Sequence, residues 1–157
     1  MREKNWKTLL LCLAVPLAAG GIGALLAGGF GESYGAMYKP LLSPPGWVFP
    51  VVWTVLYLLM GYAGWLVLTS DASEPRRRRA LTVFGVQLLL NMLWPLLFFR
   101  LGWYGFAFVW LLLLILAVLL CLLLFRYIVK RAGDLLVPYL LWLFFAAYLN
   151  LGAAILN

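Results

Sequence analysis

Charged residues divide this chain into long neutral stretches. No Asp, Glu, Lys or Arg occurs in residues 8–31, 40–70, 80–99, 101–125 or 135–157. A helix needs roughly 20 apolar residues to cross about 30 Å of hydrocarbon, and every stretch is long enough. The pattern predicts five spans, at about 7–27, 47–68, 80–99, 103–127 and 135–156. Runs such as Leu111–Leu116 and Leu119–Phe125 do not alternate apolar with polar residues, which argues against transmembrane strands. The expected fold class is an all-α membrane protein, a single five-helix transmembrane bundle over residues 1–157.

The connection at 28–46 is the only sizeable one without a span of its own. Gly28, Gly29, Gly31 and Gly35, then Pro40, Pro44 and Pro45, mark it as a loop. It also carries Phe30, Tyr34, Met37, Tyr38, Leu41 and Leu42, and an apolar loop packs on something. It is expected to cover the mouth of the bundle. The short turn around Arg100 and Gly102 makes spans 3 and 4 antiparallel neighbours. No internal repeat is visible, which disfavours an inverted-repeat transporter.

Composition agrees with this reading. Apolar residues make up 66% of the chain and charged residues 11%, against about 25% charge in soluble domains. The net charge of +7 and the run Arg76–Arg79 invite a nucleic-acid reading. Their distribution speaks for a membrane anchor instead. Arg2, Lys4, Lys7, Arg76–Arg79, Arg126, Lys130 and Arg131 fall on one side, leaving only Lys39 and Arg100 on the other. The positive-inside rule then puts the N-terminus inside and the C-terminus outside. No nucleic-acid partner is expected. A signal-peptide reading of span 1 is disfavoured, because its apolar stretch runs past the small residues at Ala18–Gly21. Cys12 and Cys121 sit at mid-span and read as apolar filler, and the chain has no histidine. No metal site and no required cofactor are expected.

Polar and aromatic residues inside the spans narrow the function. Gln87, Asn91, Trp94 and Phe98 share one helical stripe. So do Tyr139, Trp142, Ala146, Leu149, Asn150 and Ala153, and likewise Trp53, Tyr57, Met60 and Gly64. An unpaired amide in hydrocarbon costs several kcal/mol, so Gln87, Asn91 and Asn150 should face the interior. There they act either as interhelical glue or as the few polar groups of an apolar pocket. Trp6, Trp47 and Trp103 suit an interfacial belt, whereas Trp53, Trp94 and Trp142 lie deeper. Glu3, Glu32, Asp71, Glu74 and Asp134 lie at span ends or in loops, and no pair is placed for acid–base chemistry. The aromatic interior suits a planar hydrophobic ligand.

Three segments carry a family resemblance. KPLLSPPGWVFPVVWTVLYLLMGYAGWLV (Lys39–Val67), NMLWPLLFF (Asn91–Phe99) and VPYLLWLFFAAYLNLGAAILN (Val137–Asn157) resemble signatures of one family, in its order. This is the tryptophan-rich sensory protein and translocator protein family, once called peripheral benzodiazepine receptors. The resemblance implies a five-helix homodimer in a bacterial cytoplasmic membrane that binds porphyrins such as protoporphyrin and haem. By matching position it implies a ligand site at Pro44, Pro45, Trp47, Trp53, Tyr57, Asn91, Trp94, Phe98, Trp142, Ala146 and Asn150. In some bacterial relatives, tryptophans matching Trp53 and Trp142 take part in light-driven porphyrin breakdown. These two are the candidate catalytic residues of an alternative, enzymatic reading. A third reading is a ligand transporter or scaffold.

The chain departs from the family pattern in its loop. Leu42 stands where a tryptophan is usual, and Ser33-Tyr34 replaces a Trp-Tyr pair. Leu151 and Ile155 replace the tyrosine and basic residue of the family's sterol motif, so sterol binding by that route is not expected. For the homodimer, span 1 offers Ala19, Gly23 and Ala27 as a seam, with Gly20, Ala24 and Gly28 beside them; span 3, through which the resemblance implies family members often pair, offers only Ala80 and Gly85. The alternative is that these small residues pack within the monomer against Gly61 and Gly64.

Overall fold

A computed structural model describes residues 5–157 of the chain. Arg2, Glu3 and Lys4 lie outside the described residues. The helices are α1 (Trp6–Ala27), α2 (Phe30–Ala36), α3 (Val48–Leu68), α4 (Glu74–Pro95), α5 (Tyr104–Ile128), α6 (Lys130–Asp134) and α7 (Val137–Leu156). Among the described residues, five helical segments are long and apolar enough to cross a membrane: Trp6–Ala27, Val48–Leu68, Glu74–Arg100, Tyr104–Ile128 and Lys130–Leu156. Helix α1 packs against α3 and α4, α4 against α5, and α5 against α7. Side chains join α3 to α7: Phe49 meets Trp142 and Trp53 meets Tyr139, with ring centroids 5.9 and 6.1 Å apart.

Glycines set the closest helix approach. A β-carbon on Gly61 would lie 2.6 Å from the Cys12 carbonyl oxygen and 2.7 Å from Leu13 Cα, so α1 and α3 touch backbone to backbone. One on Gly20 would overlap the Tyr57 ring, and one on Gly23 would sit 3.0 Å from the Met92 carbonyl oxygen of α4. Ala27 is buried as well. The Gly23–Ala27 face offered above as a dimer seam therefore belongs to the monomer core. Without a hydrophobic drive between helices in lipid, this close approach supplies the packing. Of the two glycines named on α3, only Gly61 receives α1; Gly64 faces the Phe84 ring at 3.6 Å instead.

Two boundaries differ from the sequence expectation. Helix α4 starts at Glu74, so Arg76–Arg79 are helical and extend the span beyond its apolar core. Pro75 in the first turn has a φ suited to a helix start, and its missing N–H costs nothing there. At the other end, Pro95 has no N–H to return to the preceding turn. The chain then makes a π-helical turn over Leu96–Arg100, which re-aims Phe98 and Phe99. Such turns are rare and recur at functional sites.

The 28–46 connection contains α2 and is tied to the bundle at both ends. Gly28 and Gly29 adopt positive φ, which lets the chain reverse at the end of α1. Rings of Phe30, Tyr34, Phe49 and Phe99 cluster, with centroids 4.7–5.7 Å apart. The Tyr34 hydroxyl donates to the Pro44 carbonyl. Burial raises the Tyr34 phenol above its ordinary pKa, opposed by a weaker effect of Ser43, so it remains a donor at neutral pH. At the far end, Asn157 accepts from the Tyr38 N–H and donates to the Tyr38 carbonyl, both at 3.0 Å. Tyr148 donates to the Leu41 carbonyl at 2.7 Å.

Leu42 has φ +67° and is 82% exposed. A left-handed leucine costs about 1–2 kcal/mol and here buries little in return. Leu42→Gly is expected to stabilise the protein by about 1 kcal/mol. A thermal melt of purified protein checks this; a lower midpoint would show that the leucine makes a compensating contact.

Candidate functional site

The spans enclose a cavity of about 410 Å³ near the end that carries the 28–46 connection. Helix α1 contributes Leu17, Gly20, Gly21, Ala24 and Ala27, and α2 contributes Phe30. Phe49, Pro50, Trp53, Thr54 and Tyr57 come from α3, and Asn91, Trp94 and Pro95 from α4. Phe99, Leu111, Leu114, Trp142, Leu143 and Ala146 complete the wall. On one side, wall residues Gly21 and Ala24 of α1 and Pro50 and Thr54 of α3 are exposed. A lateral opening therefore lies between α1 and α3.

The cavity's polar groups are few and mostly engaged. The Tyr57 hydroxyl donates to Asn91 Oδ1 at 2.7 Å, and Asn91 Nδ2 donates to the Tyr139 hydroxyl at 2.8 Å. Tyr139 donates in turn to Gln87 Oε1 at 2.9 Å. Gln87 Nε2 lies 4.0 Å from Met60 Sδ. This relay crosses α3, α4 and α7 and satisfies amides that lipid could not. Of the two amides in this relay, Asn91 lines the cavity and Gln87 does not. A second link runs from Trp94 Nε1 to Asn150 Oδ1 at 3.1 Å, and from Asn150 Nδ2 to the Tyr104 carbonyl at 2.7 Å.

The residues named from the sequence fall into two groups. Trp53, Tyr57, Asn91, Trp94, Trp142 and Ala146 share the cavity wall. Pro44, Pro45, Trp47, Phe98 and Asn150 do not line it. Trp47 stands at the start of α3 and is 69% exposed, as an interfacial ring would be. Pro44 serves the loop, accepting from Tyr34. Pro45 is exposed beside it. Phe98 stacks behind Trp94, with centroids 5.0 Å apart. Asn150 is fully buried and holds the Trp94 indole in place. Gln87 and Asn150 are thus interhelical links, whereas Asn91 is both a link and a wall residue.

Several wall residues escaped the sequence reading. Phe49 lies one turn before Trp53 and could have been found by extending that stripe. The small residues of α1 were read only as a packing face. Leu111 and Leu114 sit in a leucine-rich helix whose sequence marks no face.

The comparisons with known proteins agree with this architecture. The model of the TspO/MBR family matches residues 12–156. The chain belongs to the TspO/MBR family. It is 36% identical to a tryptophan-rich protein TspO of Chlorobaculum tepidum, over 99% of each chain. It is also 36% identical to a tryptophan-rich sensory protein of Cereibacter sphaeroides, covering 98% of this chain and 93% of the relative. The translocator protein of sheep, Ovis aries, is similar at 36% identity over 87% of this chain and 82% of its own. With its five apolar helices, this member of the TspO/MBR family is an integral, multi-pass membrane protein.

Proposed function

We propose that the protein is a membrane receptor for porphyrins such as protoporphyrin and haem, and for similar planar apolar ligands. The observation that carries this is the convergence of Trp53, Trp94, Trp142 and Phe49 on one mostly apolar cavity between the helices. The macrocycle would lie among these rings, with the Asn91 amide as the polar group of the wall beside it. Cations at the same end suit the propionates. Arg100 Cδ approaches to 3.8 Å of a β-carbon built on Gly28, next to wall residue Ala27. Lys39 Nζ lies 4.7 Å from the centre of the Tyr34 ring. The opening between α1 and α3 would admit ligand from the bilayer as well as from the loop side.

Aromatic contacts contribute about 0.5–1.5 kcal/mol each beyond area burial. Trp53→Phe combined with Trp142→Phe should therefore weaken protoporphyrin binding about tenfold. Trp142 Nε1 is buried without a hydrogen-bond partner, so its replacement by phenylalanine breaks no hydrogen bond. Quenching of the remaining tryptophans on titration with protoporphyrin reads the affinity. Unchanged affinity in the double variant would sink the assigned site.

A second reading is light- and oxygen-dependent porphyrin breakdown, favoured by the presence of both Trp53 and Trp142 in the cavity wall. The bound pigment would then absorb the light and be oxidised by dioxygen, with the two indoles holding it in the cavity. Pigment absorbance under illumination separates the readings: decay faster than in the Trp142→Phe variant favours the enzyme. Flux of protoporphyrin into vesicles would instead favour transport. The proposed setting is a homodimer in a bacterial cytoplasmic membrane, with the basic end of the bundle inside.

A further inference from the structure

The opposite, arginine-rich end of the bundle carries a cavity of its own, about 320 Å³, between the start of α4 and the end of α5. It is lined by Pro75, Arg76, Arg79, Leu124, Tyr127 and Ile128. We propose that this cleft binds the phosphate of an anionic lipid, with Arg76 and Arg79 holding the phosphate and Leu124, deeper on α5, receiving the start of an acyl chain.

The arginines of the run differ in their surroundings. Arg77 is occupied: it pairs with Glu74 at 3.6 Å and donates to the Ala72 carbonyl at 3.2 Å. Arg78 is exposed and lines no part of the cleft. Arg76 and Arg79 are three residues apart, hence on one helix face, and both line the cleft. The Arg76 guanidinium lies over the Tyr127 ring, 5.6 Å from its centre, which fixes its position at the rim.

Charge and polarity in the cleft match a lipid better than a free ion or a polynucleotide. Among the described residues no carboxylate lines it; Asp71 lines the adjoining cavity beyond Arg76. Nearby Arg126 is paired with Asp134 at 3.1 Å. Guanidinium forks suit phosphate oxygens geometrically. Toward the membrane the α5 side of the wall runs from Tyr127 to Leu124, and one turn deeper on the same helix lie the exposed Leu120 and Leu123. Basic pockets between spans at a membrane surface suit phospholipid head groups. A purely electrostatic role for the run would need no cleft and would treat its exposed arginines alike.

Native mass spectrometry of the full-length protein in detergent tests this with three probes: phosphatidylglycerol, phosphatidylcholine and inorganic phosphate. Wild type should retain phosphatidylglycerol at least about tenfold better than phosphatidylcholine, and millimolar inorganic phosphate should not displace it. Arg76→Gln with Arg79→Gln should lose that preference. The charge-matched pair Arg78→Gln with Arg131→Gln should keep it. Protoporphyrin binding, at the other end of the bundle, reports that each variant is folded. Equal loss in both double variants would reduce the effect to bulk charge and overturn the site. Full displacement by inorganic phosphate would make it a free-anion site and overturn the lipid assignment.

Discussion

Gly61→Ala is expected to destabilise the protein by about 3 kcal/mol and to reduce its accumulation in membranes. A single methyl group has this effect because of what it meets. Its carbon would lie 2.6 Å from the Cys12 carbonyl oxygen and 2.7 Å from Leu13 Cα, and neither backbone atom can rotate aside. Helices α1 and α3 would have to part, and the Gly20–Tyr57 and Gly23–Met92 approaches would loosen with them. Overpacking of this kind costs about 1–3 kcal/mol, more where backbone must move. Gly85→Ala is the matched control. Its new carbon would meet no atom within 4 Å, and alanine is the better helix former by up to about 1 kcal/mol. Thermal melts of the two proteins in the same detergent decide the matter. Equal midpoints would show that α1 and α3 are not in backbone contact.

Tyr139→Phe is expected to cost about 2 kcal/mol while removing one oxygen atom. Tyr139 is fully buried, and its hydroxyl both accepts from Asn91 and donates to Gln87. The substitution leaves the Asn91 amide N–H and the Gln87 amide oxygen without these partners in the interior of the bundle. A single hydrogen bond between spans contributes only about 0.6 kcal/mol on average. The cost of stranded buried groups is larger, about 1–3 kcal/mol. Tyr57→Phe should cost less, about 1 kcal/mol, because Asn91 keeps its bond to Tyr139. The order of the two melting points is the test, and a reversed order would contradict the relay. In the Tyr139 variant Asn91 also loses the bond that aims its amide, so weaker protoporphyrin binding should accompany the lower stability.

These residues show how far the sequence could be read. The spans were legible because charge is so costly in hydrocarbon that its placement alone bounds each helix. The interior stripes were legible for a related reason. Gln87, Asn91 and Asn150 could not face lipid unpaired, and helical spacing carried Trp53, Trp94 and Trp142 to the same side as those amides or as each other. What the amides would do stayed open, since glue and pocket demand the same burial. Both Asn91 and Asn150 link helices, and only the fold shows that Asn91 also lines the cavity while Asn150 lies behind Trp94.

The sequence by itself determined the solvent, the number of crossings, the aromatic character of the interior and the family, since each rests on composition or on local spacing. Tertiary structure decided which small residues meet which helix. A glycine stripe has two sides in sequence terms, and α1 spends its stripe on α3 and α4 inside the monomer. The fold also decided that Trp47 faces outward and Phe98 lies behind Trp94, because helix rotation and the π turn after Pro95 set those directions. The cleft at Arg76 and Arg79 is of the same kind. Its arginines stand out in the sequence, but its wall comes from α5, and only the packing of two helices brings Tyr127 and Leu124 beside them. Local chemistry selects an element and the face it buries; what that face meets depends on residues distant in the chain.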